Sequence, residues 1–143
     1  MKTILALLTV TQLAFISPSF AADTATEALA KRQAEDAAVI WVALVDAGKY
    51  AESWDNAGTL FKSSVSKANY VKAIQAARTP IGAVKTRSLK IAEYTTALPG
   101  APNGEYVVIQ FQTEFENKKP ALEIITPMHE KDGSWKVTGY FIR

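Results

Sequence analysis

Glu105-Tyr106-Val107-Val108-Ile109-Gln110-Phe111-Gln112-Thr113-Glu114-Phe115-Glu116 decides the fold. In an extended chain, Val107, Ile109, Phe111, Thr113 and Phe115 fall on one side, and Tyr106, Val108, Gln110, Gln112 and Glu114 on the other. A period of two with one apolar side is a half-buried strand. Upstream, Arg87 to Thr96 is a weaker strand, joined to the first through Leu98-Pro99-Gly100-Ala101-Pro102-Asn103-Gly104. The proline and glycine content of that segment demands a loop. Downstream, Leu122 to Lys131 and Ser134 to Arg143 flank Asp132-Gly133, a strong two-residue hairpin signal. The second half of the chain therefore reads as a four-stranded antiparallel meander.

The first half has a helical period. From Ala25 to Ala47, residues Ala30, Ala34, Ala37, Trp41, Leu44 and Val45 share a face, and Lys31, Arg32, Glu35 and Asp46 lie opposite. Gly48 closes this helix, Tyr50 and Trp54 mark a short second one, and Gly58 ends that. Ser66 caps a third helix with inner face Tyr70, Ala73, Ile74 and Ala77, stopped at Thr79-Pro80. Three helices followed by a meander define an α+β protein, with N-terminal helices packed on one face of a curved antiparallel four-stranded sheet.

The outermost residues supply an address. Met1-Lys2-Thr3, the apolar run Ile4 to Ile16 and the small residues around Ala21 read as an export signal, residues 1–21, cleaved before Ala22. The apolar run is too short for a comfortable bilayer span, so residues 22–143 are expected as one α+β domain, periplasmic or secreted, with no membrane span after processing. Because Lys2 lies in the leader, the formal charge of the remainder falls from +2 to +1. That balance advertises neither nucleic acid nor an anionic membrane as partner. The chain has no cysteine, so neither a disulfide nor a cysteine-linked lipid is available.

Chemistry is sparsely signalled. A single histidine, His129, rules out a multi-histidine metal centre, and no Gly-x-Ser-x-Gly elbow, phosphate-binding glycine loop or calcium loop is present. No catalytic residue, metal or cofactor is therefore assigned. His129 reads as a solvated strand-end residue. Asp46 with Tyr140, or Asp55 with His129, would be the acid–base pairs of an isomerase, although both aspartates also suit helix punctuation. Glu114, Glu116 and Glu123 read as a solvated hairpin end beside Asn117-Lys118-Lys119-Pro120.

Arg78 is the most informative charge, since it borders the apolar face of its helix. It either caps the helix C-terminus or points toward a pocket mouth. Arg87, with Lys85 and Lys90, reads as a solvated basic strand edge. The functional alternative is an anion site built from Arg78 and Arg87, because guanidinium forks grip carboxylates with two hydrogen bonds. Tyr50 and Trp54, with Trp41, either line a ligand cavity or belong to the core. If Trp135 faces the helices, Tyr140 lies on the outer sheet surface, where Tyr106, Val108, Gln110 and Tyr140 could form a homodimer contact.

Several segments together carry a resemblance. They are Trp41-Val42-Ala43-Leu44-Val45-Asp46-Ala47-Gly48-Lys49-Tyr50, Trp54, Arg78-Thr79-Pro80-Ile81-Gly82, Arg87-Ser88-Leu89, Gly104-Glu105-Tyr106-Val107-Val108 and Asp132-Gly133-Ser134-Trp135-Lys136-Val137-Thr138-Gly139-Tyr140-Phe141-Ile142-Arg143. In order and spacing they resemble a bacterial family of small exported proteins known as domain of unknown function 4019. The resemblance implies a cone-shaped fold like nuclear transport factor 2, with a pocket between helices and sheet, and it brings no activity, ligand or catalytic residue. The leading expectation is a binding or accessory domain of the cell envelope, holding an unidentified small molecule or envelope protein. The alternatives are a cofactor-free isomerase or dehydratase with Arg78 as substrate anchor, and a structural homodimer module. Under the first, Arg78→Ala weakens retention of an acidic ligand and leaves folding nearly intact.

Overall fold

The computed structural model describes the backbone of residues 19–143 and the side chains from residue 23 onward; the apolar run of the expected export signal lies outside the described residues. The elements are α1 (Ser19–Asp46), α2 (Tyr50–Asp55), α3 (Thr59–Ser64), α4 (Lys67–Arg78), β1 (Val84–Thr95), β2 (Tyr106–Phe115), β3 (Lys118–His129) and β4 (Trp135–Ile142). The strands form one antiparallel sheet in the order β1-β2-β3-β4. The protein is thus α+β, with N-terminal helices packed on one face of a four-stranded meander. Among the described residues no helix is long and apolar enough to cross a membrane.

Helix α1 presents Ala30, Ala34, Ala38, Trp41, Val42 and Val45 to the sheet, all buried. Three alanines at four-residue spacing let the helix axis approach the strands closely before Trp41 widens the gap. The helix ends where the sequence says it should. Lys49 N–H donates to Leu44 O at 2.9 Å and Gly48 N–H to Val45 O at 3.0 Å, with Gly48 at φ 73°, the left-handed termination that glycine enters without strain. In α4, Ser66 Oγ accepts from Asn69 N–H at 3.3 Å, as a capping serine does. Its buried face is Tyr70, Ile74 and Arg78, while Ala73 and Ala77 are exposed.

Helix α2 closes at Asp55 with Asn56 as its C-cap, so Gly58 is not the terminator the sequence suggested. Gly58 is instead the extended N-cap of α3, a helix absent from the sequence reading, and its N–H donates to Val137 O at 2.7 Å. The next amide, Thr59 N–H, donates to Glu130 Oε1 at 2.7 Å. A carboxylate from the β3–β4 hairpin thereby satisfies one of the free amides that begin α3.

On β2 the expected alternation holds, with Val107, Ile109, Phe111, Thr113 and Phe115 all buried against the helices. The β3–β4 connection is a three-residue loop rather than a two-residue one. Gly133 (φ 84°) donates to Glu130 O at 3.0 Å, and Glu130 N–H donates to Ser134 O at 2.8 Å.

A larger departure lies in β4. Thr126 pairs with Gly139 but Pro127 pairs with Val137, so Thr138 is an extra residue opposite the proline. Proline cannot donate to the ladder, and a bulge there removes the need. One inserted residue reverses the facing of all that follow. Trp135 and Val137 point inward, and beyond the bulge Tyr140 joins them while Phe141 turns out, 62% exposed. The expectation that Tyr140 occupies the outer surface is corrected.

The space between helices and sheet, expected as a pocket, is largely packed, with a recess of about 220 Å³ left between α1 and the start of β4. Trp41 stands edge-on to Tyr140 (5.4 Å between ring centres) and to Phe61 (6.3 Å), and Phe61 to Tyr70 (5.2 Å). Trp41 Nε1–H donates to Ser53 O at 2.7 Å, and the wholly buried Ser53 hydroxyl bonds Tyr70 Oη at 2.9 Å. Each aromatic polar tip is satisfied, as burial requires. Gly48→Ala meets open space at its new Cβ, so its cost is purely conformational. We expect a loss of about 1 kcal/mol, read by urea unfolding.

Candidate functional site

Where α1 and α4 end above the sheet, six polar side chains from six elements converge. Arg87 of β1 lies between two carboxylates. It donates Nε–H to Glu123 Oε2 at 2.7 Å and Nη2–H to Glu123 Oε1 at 3.2 Å, and its far edge donates to Asp46 Oδ2 at 2.7 Å and Oδ1 at 3.0 Å. Both pairings are two-pronged, the strongest geometry open to a guanidinium. Glu123 of β3 is fully buried and also accepts from Tyr140 Oη and Thr113 Oγ1, each at 2.6 Å. Arg78 of α4, 5% exposed, donates to Asp46 Oδ1 at 2.9 Å and lies over the Phe115 ring.

Burial by itself would raise the Asp46 carboxyl, but the hydrogen bonds and charge of Arg87, then of Arg78, prevail and hold it below the usual carboxylate range. Tyr140 is pushed far above the ordinary phenol value, by burial first and then by the charge and hydrogen bond of Glu123. Arg87 is disfavoured by burial yet held more firmly protonated by its two carboxylates. The cluster therefore favours the charged forms of Asp46 and Arg87 and the neutral form of Tyr140. The imagined Asp46–Tyr140 acid–base pair is present in space, but Asp46 is claimed by two arginines and Tyr140 donates to Glu123.

Two readings are corrected here. Arg87 is not a solvated edge residue, because its side chain is 16% exposed and doubly paired. Glu123 is not at a solvated hairpin end. The position was missed because a carboxylate inside an apolar strand face looks like a register error unless its counter-charge, 36 residues earlier, is known.

Apart from this cluster, an open cleft of about 630 Å³ lies between α3 and the β3–β4 hairpin. Ala57, Leu60 and Met128 supply its apolar lining; Lys62, Lys131 and Lys136 are among its charges. Its carboxylates are engaged: Asp55 pairs with Lys67, Glu130 caps α3, and Asp132 accepts from Ser134. His129 stacks on Trp135 (4.9 Å), with Nδ1 at 2.7 Å from Glu105 Oε2 and Nε2 at 3.1 Å from Gly133 O. It is held on both nitrogens, not simply solvated. The hydrogen bonds from His129 and then Tyr94 lower the Glu105 carboxyl. Asp55 and His129 do line one cleft, each already tied to another partner.

Other expected site residues are dispersed. Tyr50 and Trp54 pack against the core; Trp54 Nε1–H donates to Val65 O at 3.0 Å, and the Lys62 and Lys67 ammoniums approach its ring. Of the expected interface set, Val108 and Gln110 are partly exposed on the outer sheet face. Tyr106 is fully buried, its hydroxyl donating to Pro102 O at 2.6 Å, and Tyr140 is turned inward. Among the described residues no group of three acidic or histidine side chains could hold a metal.

Arg87→Ala strands the buried Glu123 charge, and we expect a loss of about 3–5 kcal/mol. Arg78→Ala costs less, because Arg87 still donates to both Asp46 oxygens and Asp46 is partly solvated, yet burial of Arg78 means folding is not left intact as the sequence suggested. Lys85→Ala on the same strand is expected within about 0.5 kcal/mol of wild type, all three read by chemical denaturation. The lowered Asp46 carboxyl contributes stability that is present above the ordinary aspartate range and lost as pH falls below about 4. Thermal unfolding between neutral and acid pH should show a shallower acid loss in Asp46→Asn than in wild type.

No curated protein and no solved structure matches the chain. Residues 37–140 match the family described as protein of unknown function DUF4019, a span that holds the whole charge cluster and the whole lining of the cleft, and the chain belongs to that family.

Proposed function

We propose that this chain is an exported, non-catalytic binding domain that holds a small ligand or a short segment of an envelope protein in the cleft between α3 and the β3–β4 hairpin. The cleft itself carries the reading. Its volume of about 630 Å³ falls in the range of small-molecule sites, and it combines an apolar lining with a charged rim. A nuclear transport factor 2-like cone is supported by the helices on one sheet face. Between the helices and the sheet, aromatic rings and neutralised charges take up much of the space, whereas the cleft beside the hairpin is open. Export rests on residues 1–21, and the working compartment is then the periplasm or the exterior.

A homodimer is the second reading, favoured by one observation. Ile91, Gln110, Ile124 and Phe141 are successive cross-strand partners, giving a mostly apolar row across the outer face of all four strands. Ile91 and Phe141 at its ends are exposed. Antiparallel sheets commonly present polar residues on such a face.

Native mass spectrometry of the protein purified from its own compartment tests these readings together. The expected result is a polypeptide beginning at Ala22 that carries a bound adduct, with the adduct lost in Leu60→Trp, which fills the cleft. A bare polypeptide, or an adduct indifferent to Leu60→Trp, overturns cleft binding. A dimer mass abolished by Phe141→Glu supports the second reading, and a retained leader overturns export.

A further inference from the structure

Arg78 is almost fully buried, yet its Nε–H has no hydrogen-bond partner. Its Nη1 reaches Tyr140 Oη only at 3.5 Å, so the bond from Nη2 to Asp46 at 2.9 Å is its one short contact. A buried donor left unpaired costs free energy, and the Nε/Nη2 edge is the side of a guanidinium that grips a carboxylate with two bonds. Asp46 uses half of that edge.

Asp46 is also unusually placed. It is the last residue of α1, where the helix macrodipole disfavours an anion. Its side chain is 27% exposed, against 5% for Arg78, 16% for Arg87 and 0% for Glu123, so it is the member of the charge cluster nearest solvent. The charges select the occupant. Two guanidiniums less the buried Glu123 leave a single positive charge, which one carboxylate balances and a dianion would exceed.

We propose that Arg78 and Arg87 form a binding site for a monoanionic carboxylate, and that Asp46 is the occupant the chain supplies to itself. The site is separate from the cleft, so it stands or falls independently of the function proposed above. The unpaired Nε–H lies on the same edge as the Nη2 that already holds Asp46, so the edge has one donor more than its present occupant uses.

Chemical rescue tests this. Asp46→Ala should lower Tm by roughly 5 °C or more. Sodium acetate should restore at least about half of that loss, while sodium chloride and sodium phosphate at matched ionic strength should not. In Asp46→Ala/Arg78→Met the acetate effect should vanish. Running acetate beside N-acetylalanine separates a small free acid from a chain-terminal carboxylate; rescue by either supports the site. Equal responses to acetate and chloride, or undiminished rescue in the double variant, overturn it. If Asp46→Ala fails to fold in every salt, Asp46→Asn decides through the NMR resonance of the Arg78 Nε–H. An acetate-dependent shift supports the site, and an unmoved resonance overturns it.

Discussion

A carboxylate with no exposure to water, Glu123, sits at the middle of the sheet's covered face, and the architecture around it exists in the form that keeps it satisfied. An ionised group in that position is costly unless paired and hydrogen-bonded on both oxygens. Arg87 supplies the charge and two bonds, Thr113 and Tyr140 one each. Those donors come from β1, β2 and β4, so satisfying one side chain fixes the relative positions of every strand. The bulge at Thr138 is part of the same arrangement, for without it the Tyr140 hydroxyl would point away.

The helices join through the outer half of the network. Asp46 links the end of α1 to Arg87 below and to Arg78 at the end of α4, so both helix termini rest on the same pair of charges. Apolar contacts press α1 onto the sheet, and the end of the helix is fixed by more than packing. Directional bonds from Asp46 hold it, with the Trp41–Ser53–Tyr70 chain of hydrogen bonds locking the short helices behind them.

The elements legible in sequence were those whose signals are local. The β2 alternation, the glycine termination after α1, the serine cap of α4 and the stop at Thr79-Pro80 each depend on neighbours within a few residues. What escaped reading depends on distant partners. Helix α3 is begun by a carboxylate 71 residues away, and Glu123 is neutralised by an arginine from another strand. A period-two projection also assumes an unbroken ladder, so one residue inserted opposite Pro127 exchanged the roles of Tyr140 and Phe141. Arg78 and Arg87 were visible as a candidate anion pair, but nothing local disclosed that the chain meets them with its own carboxylates.

Gly58 carries a consequence for the shape of the cleft. Its amide is bonded to Val137 O, the following amide to Glu130, and a Cβ at this position would stand 2.8 Å from the Glu130 carboxylate. Helix α3 and the hairpin are thereby riveted together at the base of the groove they enclose. The two walls are held to each other by main-chain and carboxylate bonds rather than by apolar contact alone, so the width of the groove is set by the fold.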